Sequence, residues 1–429
     1  MRKTSSKCLV CQHARKGLKL RAIYKQELAI EGGECVVNSE LPVWPSYEQD
    51  EVDAVQNVLQ SGRVNYWTGD LGRKFEQQFA TYFGVNYAVA LANGSVALEL
   101  ALEVLNIGAG DEVIVTPRTF IATVSSICLK GATPVFADVD LNTQNITANT
   151  IQACITPRTK AIMLVHLAGW PCDMQSIIEV VKDNDLKLIE DCAQAHGAKY
   201  NDKYVGSFGD VATFSFCQDK IMTTGGEGGM FVTNNESTWR KAWMYKDHGK
   251  HYESMMQRSV NDKSKFQWVH NSFGSNLRMT EMQAAIGLLQ LNKLDAWLEQ
   301  RRKNADILTN CFAKVPALRI TKPGNNIAHA YYKYYAFIRP SKLKPGWSRD
   351  KLIQAINAEG VPCYMGSCSE VYKEKAFVDA GLKPVSALIN AEELGNTSIM
   401  FNIHPTLESS DIEKVCAVVE KVFYYASYF

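Results

Sequence analysis

The stretch Leu186-Lys187-Leu188-Ile189-Glu190-Asp191-Cys192-Ala193-Gln194 decides the fold. An apolar run that closes on a carboxylate reads as a buried strand opening at its carboxyl end, where open parallel sheets bind their ligands. Working outward, strand-like runs recur at Tyr87–Leu91, Glu112–Thr116, Thr133–Asp138, Ala161–His166, Val211–Ser215 and Gly229–Thr233. With Leu186–Glu190 they predict one seven-stranded sheet. Several are continuously apolar and rich in Val, Ile and Leu, as strands covered on both faces are. Helix-like segments alternate with them, for example Ser95–Leu105 and Met279–Trp297, so the fold class is α/β, doubly wound with a mostly parallel sheet.

The segment Arg301 to Lys314 then carries the chain into a smaller α+β portion. Its strand candidate is Tyr331–Ile338, and its helix candidates are Arg349–Glu359 and Asp411–Tyr425. Three regions follow: a basic extension over 1–40, a large domain over 41–300 and a small C-terminal domain over 301–429. The length of 429 residues suits two or three domains.

Composition narrows the function classes. A formal net charge of +1 gives no electrostatic argument for a nucleic acid or an anionic membrane as partner. No run of about 18 apolar residues suggests a membrane span. Met1 to Lys25 is basic and free of acids but lacks the apolar core of a secretory signal, and reads as a poorly ordered extension. Twelve cysteines are scattered rather than clustered, which suits a reducing cytoplasm. Cys8 and Cys11, near His13, form a lone Cys-x-x-Cys without the second ligand pair that zinc needs, so free thiols and no metal are expected.

Chemistry concentrates after the strands. Asp191 follows one strand, and Lys220 lies five residues past Ser215, the end of the next, ahead of the loop Gly225-Gly226-Glu227-Gly228-Gly229. Singly, an Asp there is a turn or cap and a loop Lys is a solvated charge. Together, a carboxylate that holds a pyridine nitrogen protonated and a lysine that forms a Schiff base are the pair a pyridoxal phosphate enzyme needs. Asn93-Gly94-Ser95 adds a strand-to-helix turn whose free amides can cradle a phosphate. Phe120, in Pro117-Arg118-Thr119-Phe120, stands where an aromatic stacks on a ring or packs in a core. His166 and His404 show no partner in the sequence and read as structural. No Gly-x-Gly-x-x-Gly follows a strand, which disfavours a nicotinamide enzyme.

From Leu41 to the C-terminus the chain resembles sugar aminotransferases of the DegT/StrS kind, within the type I fold of pyridoxal phosphate enzymes. The resemblance rests on Asn93-Gly94-Ser95-Val96-Ala97-Leu98, Glu190 to Ala198, Ser215 with Lys220, Thr223 to Gly229 and Gly274 to Ala285. It implies that Lys220 carries pyridoxal 5'-phosphate, that Asp191 pairs with the ring nitrogen and that Gln194 approaches the ring oxygen. Phe120 would stack on the ring, while Gly94, Ser95, Val96 and Ser215 hold the phosphate. Asn276 would reach that phosphate from a neighbouring subunit, giving a homodimer with shared sites. The implied substrates are glutamate or glutamine as amine donor and a nucleotide-linked keto sugar, in surface polysaccharide or secondary-metabolite synthesis.

In that family a histidine in place of the lysine supports dehydration, and this chain keeps the lysine. A sugar dehydratase and a cofactor-binding regulatory protein remain the alternatives. The sequence departs from the family pattern at Gly360 to Glu370, where a histidine-bearing acceptor loop is expected, and the departure reads either as an altered acceptor or donor pocket or as a neutral loop difference. The run Tyr331 to Tyr335 either presents Tyr332 or Lys333 to a nucleotide or alternates in a half-buried strand.

Overall fold

The structure, a computed structural model, describes residues 26–256 and 268–428. The main sheet comprises β1 (Tyr87–Leu91), β2 (Glu112–Val115), β3 (Thr133–Phe136), β4 (Thr159–Val165), β5 (Lys187–Asp191), β6 (Val211–Ser215) and β7 (Gly229–Thr233). Their spatial order is β1-β7-β6-β5-β4-β2-β3, and β7 alone runs against its neighbours. Helices cover both faces, so the strands have no solvated side and read as unbroken apolar runs.

Register gathers the site. Val165 lies beside Asp191, and Asp191 beside Thr213, so β4 and β5 end at one level while β6 runs on to Ser215. Gly229 of β7 sits opposite both Leu91 and Ser215. The turn after β1 and the end of β6 therefore flank one glycine. A Cβ on Gly229 would lie 2.3 Å from the Asn93 carbonyl oxygen, which fixes this residue type.

The main differences from the sequence expectation lie outside the sheet. The helix expected to end at Trp297 is continuous from Glu281 to Phe312, opened by a capping box of Thr280 and Gln283, and it runs through Arg301. Its first half packs with Phe75, Phe79 and Phe216, and its last turns pack with the C-terminal core of Ile399, Val415 and Val419. One element belongs to two cores, so no change of periodicity marks the passage between them.

Part of the expected extension also belongs to that C-terminal core. Leu28 and Val37 are buried in it, and the Ala29 and Val36 N–H groups donate to Glu359, itself paired with the buried Lys421. Residues 1–25, with Cys8, Cys11 and His13, lie outside the described residues. The strand expected from Tyr331 begins only at Tyr334, because Tyr331 has a left-handed backbone (φ 48°) that no strand accommodates. Among the described residues no helix is long and apolar enough to cross a membrane.

Candidate functional site

A cavity of about 1320 Å³ opens at the carboxyl ends of β1, β4, β5 and β6. Asp191, Gln194, Ser215, Lys220, Gly94, Ser95, Val96 and Phe120 all line it. The structure thus brings together eight of the nine residues that the sequence singled out.

Asp191 is the last residue of β5, one place further into the strand than expected, and its carboxylate is buried. It accepts from Thr123 Oγ1 at 2.8 Å and from the Ala193 N–H at 3.0 Å. Burial pushes its carboxyl above the ordinary range, and these donors with the charge of Lys220 only partly offset that. A cation placed beside it would restore the ionised form. Thr119 bonds to Thr123 at 2.8 Å, so two threonines one helical turn apart brace the carboxylate. The sequence reading does not single them out; their i, i+4 spacing on either side of Phe120 is the signal that could have found them.

Across the cavity the helix Gly94–Val104 presents its N-terminus. Asn93 Oδ1 caps the N–H of Val96 at 3.0 Å, which leaves the N–H groups of Gly94 and Ser95 free of intrahelical partners. Val96 lines the cavity with its amide already engaged. A Cβ on Gly94 would lie 2.7 Å from Ser215 Cβ, so glycine is required for this close approach. Gln194 Oε1 accepts from the Ala168 N–H at 2.8 Å, which leaves the amide NH₂ as its donor to a ligand. Phe120 is 66% exposed and is not a core residue. Such exposure suits a ring waiting for a partner.

Lys220 is held in a crowded corner. Its Nζ lies 3.4 Å from Tyr332 Oη and 3.7 Å from Asp219 Oδ1, while Tyr332 Oη donates to the other oxygen of Asp219. Burial works against ionisation of Asp219, but the charge of Lys220 and the Tyr332 hydroxyl outweigh it, and the carboxyl titrates below its usual range. Trp44 Nε1 donates to the Lys220 carbonyl at 2.8 Å. Asp219 adjoins Lys220 in the chain, whereas Trp44 and Tyr332 reach it across more than a hundred residues of sequence, and no local pattern announced the part of Trp44.

Asn276 is the residue the cavity does not include. It is exposed, its Oδ1 accepts from the Arg278 N–H at 3.5 Å, and Phe273 nearby is 98% exposed. The expected histidines have partners after all. His166 Nδ1 accepts from the Cys172 N–H at 3.0 Å and its Nε2 lies 3.0 Å from Glu190; His404 bonds to Thr406 at 2.7 Å and stacks with Trp44.

Among the described residues, His166, Glu190 and Cys192 are the one group with ligand atoms close enough for a metal. Glu190, however, also accepts from the N–H groups of Gly206, Phe208 and Gly209, so its oxygens are taken. The departing loop does reach the cavity: Tyr364, Gly366, Ser367 and Cys368 line it, with Tyr332, Lys333 and Asn402.

A strand-end carboxylate, a confined lysine and a free helix N-terminus around one cavity coincide with a match to a family model over residues 45–420, that of the DegT/DnrJ/EryC1/StrS aminotransferase family. The chain belongs to this family. Among its relatives is the GDP-perosamine synthase of Escherichia coli O157:H7, 36% identical over 89% of this chain and 98% of that protein. An aminotransferase from Psychrobacter cryohalolentis, solved by X-ray crystallography, superposes with a TM-score of 0.87 at 50% identity, covering 89% of this chain and 98% of that one.

The Escherichia coli GDP-4-keto-6-deoxy-D-mannose-3-dehydratase, solved with bound hydrated PLP, superposes with a TM-score of 0.79 at 27% identity, over 89% of this chain and 99% of that one. The residues here fit that cofactor. Asp191 is a buried carboxylate short of a cation, Gly94 and Ser95 offer unpaired amides, and Lys220 offers the amine.

Proposed function

We propose that this chain is a pyridoxal phosphate-dependent aminotransferase that moves nitrogen from L-glutamate or L-glutamine to a nucleotide-linked keto sugar. The observation that carries the reading is the placement of Asp191 and Lys220 on one cavity together with the free N-terminus of the helix Gly94–Val104. When bound, the cofactor supplies an aldehyde that takes up the amine and a ring that spreads negative charge.

The protein supplies position and protons. Asp191, short of donors for a buried carboxylate, would hold a proton on the ring nitrogen by pairing with its positive charge. Gly94, Ser95 and Ser215 take the phosphate, with the helix dipole adding to the attraction. Gln194 would offer its NH₂ to the ring oxygen, and Phe120 would cover one ring face. Lys220 would hold the cofactor through its amine and, with that amine free, would be the base placed to take a proton from the donor's α carbon and to give it back. Asp219 and Tyr332 lie within reach of its amine and restrict where it goes.

We further infer a homodimer in which Asn276 of a second copy completes the phosphate site. Its exposure, away from the cavity of its own chain and beside the exposed Phe273, supports this. A cytoplasmic setting suits the ten free thiols of the described residues. The relatives favour a role in building amino sugars for surface polysaccharide or a secondary metabolite.

The test is spectroscopic and isotopic. Purified protein should show the visible absorbance of a lysine-linked cofactor, and L-glutamate or L-glutamine should bleach it. Nitrogen-15 from the donor should then appear in the product when keto sugars linked to GDP, UDP or dTDP are supplied. A product without the label would replace amino transfer by dehydration.

A further inference from the structure

Among the described residues, Lys220 and Lys333 are the two cationic side chains that line the cavity. Each places its Nζ 4.8 Å from the centroid of one ring, that of Tyr332. Their surroundings differ. Lys220 faces the Asp219 carboxylate, whereas Lys333 donates to the neutral Asn402 Oδ1 at 3.1 Å and makes no ion pair among the described residues.

The fold holds Lys333 there deliberately. The N–H groups of Ala330 and Tyr332 donate to the Gly169 and Ala168 carbonyls, and Arg301 Nη1 donates to the Tyr331 and Tyr332 carbonyls. Gly169 (φ 91°) makes this docking close, since a Cβ on it would lie 3.0 Å from the Tyr331 nitrogen. The left-handed Tyr331 then turns the chain so that Lys333 meets the cavity before the strand begins at Tyr334.

A half-buried ammonium hydrogen-bonded to a neutral amide and in no ion pair is costly, even with the Asp219 carboxylate in the same corner, unless an anion arrives. With the cofactor loaded, Lys220 is committed to it, and Lys333 is the remaining lysine facing the substrates. Both co-substrates of the proposed reaction are anions, a donor carboxylate and an acceptor diphosphate. We propose that Lys333 is a specificity-determining residue that recognises the negative charge of a co-substrate in this cavity. The inference rests on the function proposed above.

Burial lowers the Lys333 amine to about 8, with Arg301 and Lys220 adding to the effect and Asp219 opposing it. The charged and titratable groups around it are Asp219 and Lys220 from the loop after β6, Arg301 from the long helix, Tyr332 beside it in the chain, and His404 beyond Ser398–Phe401. A bound anion raises the amine again. Binding above pH 8 therefore takes up a proton, and affinity falls as pH rises further.

The test uses holoenzyme, wild type and the variants Lys333→Met and Lys333→Arg. L-glutamate and L-glutamine are followed through the bleaching of the cofactor absorbance, and UDP and GDP through calorimetry in two buffers at pH 7 and pH 8.5. Lys333→Met should load the cofactor yet weaken one class of probe by about tenfold or more, the loss expected for a hydrogen bond to a charged group. Lys333→Arg should recover most of it.

A loss confined to the amino acids assigns the donor carboxylate; one confined to UDP and GDP assigns the diphosphate. Wild type should take up protons on binding that probe at pH 8.5 and not at pH 7, a readout that needs no variant. Met-variant holoenzyme that binds every probe within twofold of wild type would overturn the inference. If wild type neither bleaches with an amino acid nor binds UDP or GDP, the proposed function itself fails, and the inference falls with it.

Discussion

Two regions on either side of β5 begin at neighbouring residues, Glu190 and Asp191, and end in opposite roles. On the Glu190 side, four donors converge on one carboxylate: the N–H groups of Gly206, Phe208 and Gly209 at 2.8, 2.8 and 2.7 Å, and His166 Nε2 at 3.0 Å. Because His166 Nδ1 accepts from Cys172, its Nε2 carries the proton, and the ring is a neutral donor. Burial raises the Glu190 carboxyl, but His166 and the backbone donors win, and it titrates below its ordinary value of 4.5. On the Asp191 side two donors leave the balance with burial, and the carboxyl titrates above 3.8. A saturated carboxylate is structure; an unsaturated one is a site waiting for a cation.

The strongest way to break this comparison is to empty the functional side. Lys220→Ala should abolish amino transfer while circular dichroism and Tm stay near wild type, and turnover by that variant would refute the role given to the lysine. Next, Asp191→Asn should lower kcat by about 10²–10³-fold, the usual effect of removing one preorganised electrostatic partner. Steady-state kinetics with saturating cofactor would measure it. A loss of tenfold or less would place Asp191 with Glu190 among the structural groups.

On the structural side, Glu190→Gln should destabilise the chain by about 3 kcal/mol, because an amide NH₂ then faces backbone N–H donors in a dry site. Urea unfolding of cofactor-free protein reads this directly. The smallest effect has the opposite sign. In cofactor-free protein, Asp191→Asn should leave stability at pH 7 unchanged or raise it by about 1 kcal/mol, since Asn keeps the Ala193 bond without a buried charge.

The pH dependence separates the two as well. Glu190, held low, contributes stability above about pH 4.5 that is lost as pH falls through its folded value; Asp191, held high, contributes below about pH 3.8 and loses that contribution as pH rises through its folded value. Unfolding of the two variants across pH 3 to 7 should therefore diverge from wild type at opposite ends.

Much of this was legible along the chain because each feature is local. The runs at 87–91, 211–215 and 229–233 are strands with the bounds their apolar residues mark. Asp191, Ser215 and Gly94 are strand-end or turn residues by spacing alone. The sequence ends the long helix too early because Arg301 and its polar neighbours look like an exit, whereas Arg301 is buried under Tyr331 and Tyr332. Lys333 reads two ways in the sequence because alternation in Tyr331 to Tyr335 mimics a strand, and only the left-handed Tyr331 removes the strand reading.

The sequence by itself determined the layers of the fold, the strand ends and the residue types that cofactor chemistry requires, since periodicity and turn chemistry are written within a few residues. Tertiary structure alone decided which carboxylate is satisfied. Glu190 and Asp191 are chemically alike and adjacent, and a strand's alternation sends them to opposite faces of the sheet. What meets each face, the Gly206–Gly209 turn and His166 on one, an open cavity on the other, comes from other parts of the chain. Long-range packing therefore sets the number of donors, and the number of donors sets the role.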